Sequence, residues 1–312
     1  MKKKIICIVG PTASGKTGLG IELAKKINAE IISADSMQIY KGLDIGTAKV
    51  TESETDGIKH HLIDICNVEE KFSVAEFKNM CYDKIEEIHK KGKNVIIVGG
   101  TGLYVSAIVY NMNFETQEVD LEYRKYLEEL AKNTSNYEVY KILQNIDPIS
   151  AQNIHPNNLK RVIRAIEIAK SGSVLKSEHM ENEKNRINND ESIYDFFVFF
   201  LDWDREKIYE RINKRVDIMI ENGLLEEAKR VYDMNLPKDN TCMQAIAYKE
   251  FFPYFKEEIT LEEAVENLKL ESRRYAKRQV TWFKNKLQPI YLNGQDLKEN
   301  LTKEIIDYIT KL

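Results

Sequence analysis

The residues best suited to chemistry lie near the start of the chain, in an eight-residue segment that reads GPTASGKT. It matches the complete GxxxxGK[ST] pattern, between a predicted strand at residues 5–9 and a predicted amphipathic helix at residues 19–27. In such a loop, backbone N–H groups and the helix N-terminus hold phosphate oxygens. Lys16 would neutralise their charge, and the Thr17 hydroxyl could bind Mg²⁺. The segment predicts a phosphate-binding loop, without specifying the phosphate compound, from Gly10, Pro11, Thr12, Ala13, Ser14, Gly15, Lys16 and Thr17.

Asp35 is the second candidate, because it follows another predicted strand at residues 30–33. In open α/β sheets the carboxyl ends of the strands border the ligand crevice, so this carboxylate should face the phosphate loop. There it could act as a general base or as a partner of Mg²⁺. Its position is equally consistent with an aspartate that only caps a helix or a turn.

The predicted strand at residues 95–98 ends in GGTGLY rather than in an acid. ATPases and GTPases often place a carboxylate at such a strand end to organise Mg²⁺ and water. The glycines supply no acid, although they would let the backbone approach a ligand closely. This segment counts against a nucleotide hydrolase.

Histidines and cysteines predict neither a metal site nor a disulfide scaffold. His60 and His61 are adjacent, and neighbouring residues of a strand point to opposite faces, so we expect hydrogen bonding or a substrate contact instead. The four cysteines are scattered and include no CxxC pair. This cysteine usage is typical of a reducing cytoplasm.

Two basic stretches are candidates for a nucleic-acid surface. Residues 273–286 hold six cations and no acid, and Arg274 and Arg278 lie one helical turn apart. Residues 159–164 form a smaller basic stretch. The formal net charge of −4 argues weakly against a nucleic-acid partner, but the local distribution of charge is the better guide. A solvated helix face is the alternative for both stretches.

A third basic pair lies on another predicted helix. Arg211 and Arg215 are one turn apart within residues 205–231. They would either clamp a phosphate group or form ion pairs with Glu210 and Glu221.

These candidates require a scaffold in which strands alternate with helices, which is the pattern of a parallel sheet with crossover helices. Strands are predicted at residues 5–9, 30–33, 62–65, 95–98, 196–201 and 290–292, and long helices at residues 205–231 and 261–285. Between residues 111 and 191 the strand signal vanishes, leaving polar helices such as 121–132 and 158–170 and a very polar stretch at 177–192. The predicted fold class is α/β, a P-loop-type parallel sheet with flanking helices plus a helical insertion domain. The predicted domains are residues 1–111 and 195–312 for the core and residues 112–194 for the insertion.

The composition is that of a soluble globular protein, with 43% hydrophobic and 31% charged residues in a chain of 312. Apolar runs all fall well short of the roughly 20 residues that span a bilayer. The apolar start of the chain is too short for a signal-peptide core. We therefore expect a cytoplasmic protein that makes no membrane contact.

Taken together, these segments are similar to the tRNA dimethylallyltransferase family, also called tRNA isopentenyltransferases, nearly end to end. The matching segments are GPTASGKT, ISADSMQIYKGLDIGTAK, HHLID, FSVAEF, GGTGLY, IHPNNLKRVIRAIE, RINKRVDIMIENGLLEE, QAIAYKE and RRYAKRQVTWFKN. The phosphate loop is generic, but DSMQIY with GTAK, GGTGLY and YAKRQVTW in this order is highly specific. The chain departs from the family pattern at Lys59, Asn158 and Ala247, where Pro, Asp and Gly are usual. The zinc-finger extension of eukaryotic members has no counterpart, so the resemblance implies a bacterial-type enzyme.

The resemblance implies transfer of a dimethylallyl group from dimethylallyl diphosphate to N6 of the adenosine just 3′ of the anticodon, in tRNAs that read codons beginning with U. It implies that the phosphate loop, with Mg²⁺ and with Arg211 or Arg215, holds the diphosphate, and that Asp35 takes the N6 proton. Base contacts are implied for Asp35, Ser36, Met37, Gln38 and Thr101. Contacts to the tRNA backbone are implied for Leu159, Lys160, Arg161, Val162, Ile163, Arg164, Arg274, Lys277, Arg278, Gln279, Thr281 and Trp282. The helical insertion would grip the anticodon stem-loop.

Two other functions stay open on the residues alone. A P-loop kinase of a small metabolite would use Asp35 to deprotonate an alcohol and would carry a lid with arginines. A nucleotide-gated RNA-binding protein would bind through the same loop without catalysis. If the protein is a prenyltransferase, we expect it to be a monomer.

Overall fold

The computed structural model describes residues 2–114, 120–170, 193–237 and 240–311. The chain divides into two compact units, one formed by Met1–Asn111 with Ile193–Leu312 and the other by Met112–Ser192. The polar stretch predicted at residues 177–192 lies outside the described residues. In the described part of the chain, no helix combines the length and the apolar character needed to cross a bilayer.

The first unit is built on a six-stranded sheet in which every pair of neighbouring strands is parallel. The order across the sheet is β3-β2-β4-β1-β5-β6, and the predicted α/β fold is confirmed. The central strands are near-continuous runs of buried Ile, Val and Phe, as expected for strands covered on both faces. The strands are β1 Lys3–Val9, β2 Ala29–Ser33, β3 His60–His61, β4 Asn94–Gly99, β5 Tyr194–Asp202 and β6 Ile290–Asn293.

Helices cover both faces of this sheet. Phe77, Ile85 and Phe283 pack with Ile97 on one face, and Leu19 and Ile305 pack with strand residues on the other. The sheet therefore holds the carboxyl end of β1 rigidly between two layers of helices. The helices of the first unit are α1 Lys16–Ile27, α2 Glu52–Thr55, α3 Val74–Lys90 and α4 Gly102–Val109, then α9 Arg205–Glu221, α10 Leu224–Asp233, α11 Phe252–Phe255, α12 Leu261–Lys286 and α13 Lys298–Thr310. Short 3₁₀ turns lie at Cys242–Gln244 and Lys249–Phe251.

The described part of the second unit consists of helices and loops. Its helices are α5 Leu121–Asn133, α6 Asn136–Ile146, α7 Pro148–Asn153 and α8 Leu159–Lys170. Leu127, Leu143 and Val162 form its apolar core. Arg124 donates to both carboxylate oxygens of the buried Glu167, at 2.7 and 2.8 Å, which ties α5 to α8.

The strand predicted at residues 62–65 is wrong. The strand ends at His61, because Leu62 and Asp64 have left-handed backbone conformations with φ of 60° and 54°. The N–H groups of Ile65 and Cys66 instead donate to the carbonyl of Ile39, at 2.9 and 3.0 Å. The segment is apolar because Leu62 packs in the core with Ile32 and Phe77, although it does not continue the strand.

The continuous helix predicted at residues 205–231 is also wrong. It divides into α9 and α10 at Gly223, which has a φ of 95°, a conformation that L side chains rarely adopt. The break turns the chain, so that α9 reaches the phosphate loop while α10 holds a different loop. The helix predicted at residues 261–285 is confirmed as α12.

Candidate active site

The phosphate-binding loop lies where β1 ends and α1 begins, as the sequence predicts. Ala13 and Gly15 have left-handed conformations, with φ of 63° and 90°, and Ser14 N–H donates to the Pro11 carbonyl at 3.3 Å. A Cβ atom on Gly10 would lie 3.2 Å from Ser14 Oγ. The glycines are therefore required by the tight path of the loop.

Helix α9 fastens this loop from outside. Arg211 Nε donates to the Ala13 carbonyl at 2.9 Å, and Arg215 Nη1 donates to Thr12 Oγ1 at 2.9 Å. Trp203 donates to the Ser14 carbonyl at 3.1 Å and lies beneath the Arg211 guanidinium. Among the ion pairs of the described residues, neither arginine pairs with a glutamate of its own helix. Both arginines thus lie beside the loop, as the phosphate-clamp interpretation expects.

Lys16 lies inside the loop and is short of anionic partners. Its Nζ donates to the Pro11 carbonyl at 2.7 Å. Burial, and secondarily the nearby Arg215, lower the pKa of Lys16 to about 7, even though Asp35 opposes the change. Burial also lowers the pKa of Arg215. Two partly desolvated cations at one point form a strong site for an anion.

Asp35 follows β2, where it caps a turn and lines the cavity. Its Oδ1 accepts from Met37 N–H at 2.9 Å, so it caps a turn. It also lines the same cavity as Lys16 and Arg215. Next to it, Ser36 N–H donates to Thr101 Oγ1 at 3.0 Å, which joins the end of β2 to the start of α4.

The cavity has a volume of about 420 Å³ and lies wholly within the first unit. Its polar lining includes Lys16, Thr17, Asp35 and Arg215. Its apolar lining comes from several elements and includes Val50, Ile63, Val216, Met219, Ile246 and Leu268. The site can therefore hold a molecule that combines an anionic group with an apolar portion, next to a carboxylate.

Gln38 is less available than the sequence suggested. Its Oε1 accepts from Ser33 Oγ at 3.0 Å, and its Nε2 donates to the carbonyls of Thr47 and Ala48 at 3.2 and 3.3 Å. The side chain lines the cavity but uses its amide to hold the following loop.

Two charged residues that shape the cavity wall were missed by sequence reasoning. Glu227 of α10 is 2% exposed and accepts from the N–H groups of residues 44–46 at 2.9–3.0 Å and from the Tyr248 hydroxyl at 2.9 Å. Lys49 donates to carboxylates of Asp44 and Asp64, both at 2.6 Å. An acid or a lysine in a polar stretch gives no signal that it will be buried, so only the tertiary structure reveals these anchors.

The inner face of α12, which packs against the phosphate loop, bears on the interpretations of Gln279 and of the GGTG glycines. Gln279 is 5% exposed. Its Oε1 accepts from Thr12 N–H at 2.8 Å, and its Nε2 donates to the Gly100 carbonyl at 2.9 Å. Its amide group is therefore engaged by the backbone, although the residue lines the cavity, and the RNA contact implied for it stays a prediction. A Cβ atom on Gly100 would overlap Gln279, and one on Gly102 would overlap Trp282. Gly100 and Gly102 thus admit α12, whereas a Cβ atom on Gly99 would overlap Ala34.

The outer face of α12 carries the exposed cations. Arg274, Lys277 and Arg278 are exposed, and Arg278 also lines the cavity. Thr281 is exposed too, and its hydroxyl donates to the Lys277 carbonyl at 2.9 Å. Arg274 pairs with Glu271 at 2.6 Å. Trp282 is half-buried and donates to Ser106 Oγ at 3.0 Å.

The second basic segment, residues 159–164, also has an exposed face and a buried face. Lys160 and Arg161 on α8 are exposed, and Arg164 pairs with Glu167 at 3.3 Å. Val162 and Ile163 are 0% and 4% exposed, so their side chains do not contribute to an RNA-binding surface. They belong to the apolar core of the second unit because the helical repeat turns them inward.

The adjacent histidines make separate hydrogen bonds. His61 Nε2 lies 2.7 Å from Glu30 Oε2 in a buried pair, and His60 Nδ1 lies 2.9 Å from the Ile58 carbonyl. Within the described residues, no group of three or more His, Cys, Asp or Glu side chains is placed to bind a metal ion.

Comparison with known proteins agrees with this geometry. The IPP transferase family model matches residues 38–286. A tRNA dimethylallyltransferase of Bacillus cereus is 48% identical over 308 residues, which cover 99% of this chain and 95% of that protein. The crystal structure of the tRNA isopentenylpyrophosphate transferase of Bacillus halodurans is 44% identical, with a TM-score of 0.73 and coverage of 99% and 96%. A eukaryotic dimethylallyltransferase acting on tRNA is 32% identical, with a TM-score of 0.82 and coverage of 99% and 80%. The chain belongs to the IPP transferase family.

Proposed function

We propose that this protein transfers a dimethylallyl group from dimethylallyl diphosphate to N6 of the adenosine directly 3′ of the anticodon, in tRNAs that read codons beginning with U. The products are N6-isopentenyladenosine and diphosphate. The observation that carries the proposal is a single cavity lined both by the cations of a phosphate loop and by Asp35. Within the described residues Asp35 forms no ion pair, so its carboxylate is free to act on a substrate.

On the donor side, the diphosphate occupies the phosphate loop. Lys16 and Arg215 supply positive charge there, and Arg211 holds the loop through the Ala13 carbonyl. Diphosphate is the leaving group, so negative charge grows on its bridging oxygen as the bond to the prenyl carbon breaks. A cradle that favours this developing charge binds the transition state more tightly than the ground state and so lowers the barrier.

On the acceptor side, Asp35 removes a proton. Adenine N6 is a weak nucleophile because its lone pair is delocalised into the ring, and its proton must leave as the new C–N bond forms. Met37 N–H holds Asp35 Oδ1 and fixes the orientation of the carboxylate. Asp35 then acts as the general base. Ser36, Met37 and Thr101 surround the base, while the amide of Gln38 keeps the adjacent wall in place.

Mg²⁺ enters with the donor in this proposal. The Thr17 hydroxyl is exposed to the cavity and makes no hydrogen bond within the described part of the chain. Such a sparse protein ligand set fits Mg²⁺, which usually retains water and binds substrate phosphates together with one or two protein oxygens. When bound, the ion neutralises charge on the diphosphate. Thr17 is the protein ligand that we assign to it.

The tRNA contacts come from exposed cations. The first unit binds RNA phosphates through Arg274, Lys277 and Arg278 of α12. The second unit binds them through Lys160 and Arg161 of α8. The target base must leave its stack to reach the cavity, which costs a few kcal/mol and less in a loop than in a duplex. An anticodon loop therefore suits this site. Because the cavity is lined by residues of one chain, we propose that the protein acts as a monomer.

The test is incubation of the protein with undermodified tRNA, dimethylallyl diphosphate and Mg²⁺, followed by mass analysis of the digested nucleosides. We expect adenosine with one added prenyl group. A phosphorylated metabolite formed from ATP would instead support the kinase, and RNA binding with unmodified nucleosides would support a binding protein without catalysis.

A further inference from the structure

One buried amide on α12 joins the two sides of the cavity. Gln279 Oε1 accepts from Thr12 N–H at 2.8 Å, and Gln279 Nε2 donates to the Gly100 carbonyl at 2.9 Å. Thr12 belongs to the phosphate loop, on the donor side. Gly100 follows β4 and leads into Thr101, on the acceptor side.

Thr101 continues this connection toward the acceptor. Its hydroxyl accepts from Ser36 N–H at 3.0 Å, and its own N–H donates to the Ala34 carbonyl at 3.2 Å. Ala34 and Ser36 flank Asp35 in the chain. The phosphate loop and the turn that carries Asp35 are thus linked through one side chain and one short loop.

The packing around Gln279 allows it little freedom. It is 5% exposed, and Ala276 and Phe283, one turn away on either side, are 1% and 0% exposed. A Cβ atom on Gly100 would overlap the Gln279 amide nitrogen. The amide also satisfies one partly buried donor and one buried acceptor of the backbone, which would lose their partners if it were removed.

We propose that Gln279 is a positioning residue that sets the phosphate loop and the Asp35 turn at the separation required for prenyl transfer. The inference rests on the proposed function. Its physical basis is that reacting groups must be held in a near-attack geometry, since a displacement of about 1 Å can lower a rate by about 100-fold. The role differs from the RNA contact that the sequence predicted for this residue.

The experiment compares Gln279→Met, which keeps the length of the side chain and removes both hydrogen bonds, with Ile305→Val. Ile305 lies on α13, is 0% exposed and is not among the cavity-lining residues. Its loss of one methylene, typically about 1 kcal/mol, provides a control for reduced stability. The measurements are the melting temperature, the dissociation constants of donor and anticodon stem-loop RNA, and the single-turnover rate with both substrates saturating.

We expect Gln279→Met to slow single turnover by about 10–100-fold, while both dissociation constants stay within about threefold of the native values. Ile305→Val should leave the rate unchanged. If the Met variant does not fold, Gln279→Glu replaces it, since it keeps the acceptor for Thr12 N–H and loses the donor to Gly100, and a slower turnover is again expected. A rate within about twofold of native, or a defect confined to RNA affinity with a flatter salt dependence, overturns the positioning role. Failure of the native protein to prenylate RNA is a separate result and rejects the proposed function itself.

Discussion

The phosphate loop and α12 both carry dense sequence signals, but only the first can be understood residue by residue from the sequence. In the loop the signal is local, because Gly10, Gly15, Lys16 and Thr17 act through backbone conformation and through a helix that begins immediately afterwards. In α12 a run of polar and basic residues has two faces, one that packs against the phosphate loop and one that is exposed to solvent. Gln279 faces the phosphate loop and is buried, whereas Lys277 is exposed to solvent. Spacing along the chain thus determines a phosphate site more fully than a contact surface.

The largest expected effect is on the acceptor side. Asp35→Asn should lower the single-turnover rate by roughly 10²–10⁴, the usual contribution of a positioned general base. The amide keeps an oxygen that can accept from Met37 N–H, so the turn should survive and donor affinity should change much less. Rapid-quench turnover with separate donor titration measures both. Near-normal turnover in this variant would leave Asp35 with only its turn-capping role.

The outer face of α12 can be tested by salt dependence. Replacing Arg274, Lys277 and Arg278 together by Ala should weaken tRNA binding and reduce the slope of log affinity against log salt by about two, since each phosphate contact to single-stranded RNA contributes about 0.7. The binding titrations are made without donor over a range of salt concentrations. Lys286→Ala, at the end of the same helix, is the matched control. An unchanged slope would mean that these cations form only a solvated face.

The donor side should show a pH dependence that arises from Lys16. Its pKa is lowered to about 7 in the free protein, mainly by burial, and a bound diphosphate raises that pKa by favouring the charged form. Binding above about pH 7 therefore takes up a proton, so donor affinity should fall as pH rises, by up to about tenfold per pH unit. Titrations from about pH 7 to about pH 9 measure this trend.

Lys16→Arg provides the control, because its guanidinium stays protonated throughout that range. The trend should vanish in this variant, leaving only the ionisation of the donor itself. Identical pH profiles for the native and Arg proteins would contradict the assignment.

The smallest effect concerns the cavity wall at Ala247. This residue has a left-handed conformation, with a φ of 87°, that disfavours any side chain with a Cβ by roughly 1–2 kcal/mol. Ala247→Gly should therefore stabilise the protein by about 1 kcal/mol, measured by denaturant unfolding. Ala245→Gly, where φ is −67°, should destabilise it by about 0.5–1 kcal/mol. Equal effects of the two substitutions would show that the backbone at Ala247 carries no strain.

Several features of the fold and the site were predictable from the sequence. The parallel sheet, the loop and the position of Asp35 at a strand end followed from motifs and strand order. For Arg211 and Arg215 the sequence left two alternatives, and the structure places both beside the loop. The burial of Val162 and Ile163 was within reach, since the helical repeat of α8 turns both inward.

Other features depended on contacts between residues far apart in the chain. Glu227 holds residues 44–46, and Gln279 holds Thr12, and neither contact leaves a trace in local patterns. The strand predicted at residues 62–65 failed for a related reason, because the apolar Leu62 packs in the core with Phe77 while its left-handed backbone ends the strand.

The central claim is that one cavity performs prenyl transfer without ATP. The most direct measurement uses nucleotide-free protein, anticodon stem-loop RNA, dimethylallyl diphosphate and Mg²⁺, and quantifies prenylated adenosine and released diphosphate in parallel. We predict equal amounts of the two products, no requirement for ATP, and at most competition when ATP is added, because the loop recognises a polyphosphate tail and not what lies beyond it. A strict ATP requirement, or ATP hydrolysis coupled to turnover, would contradict the account.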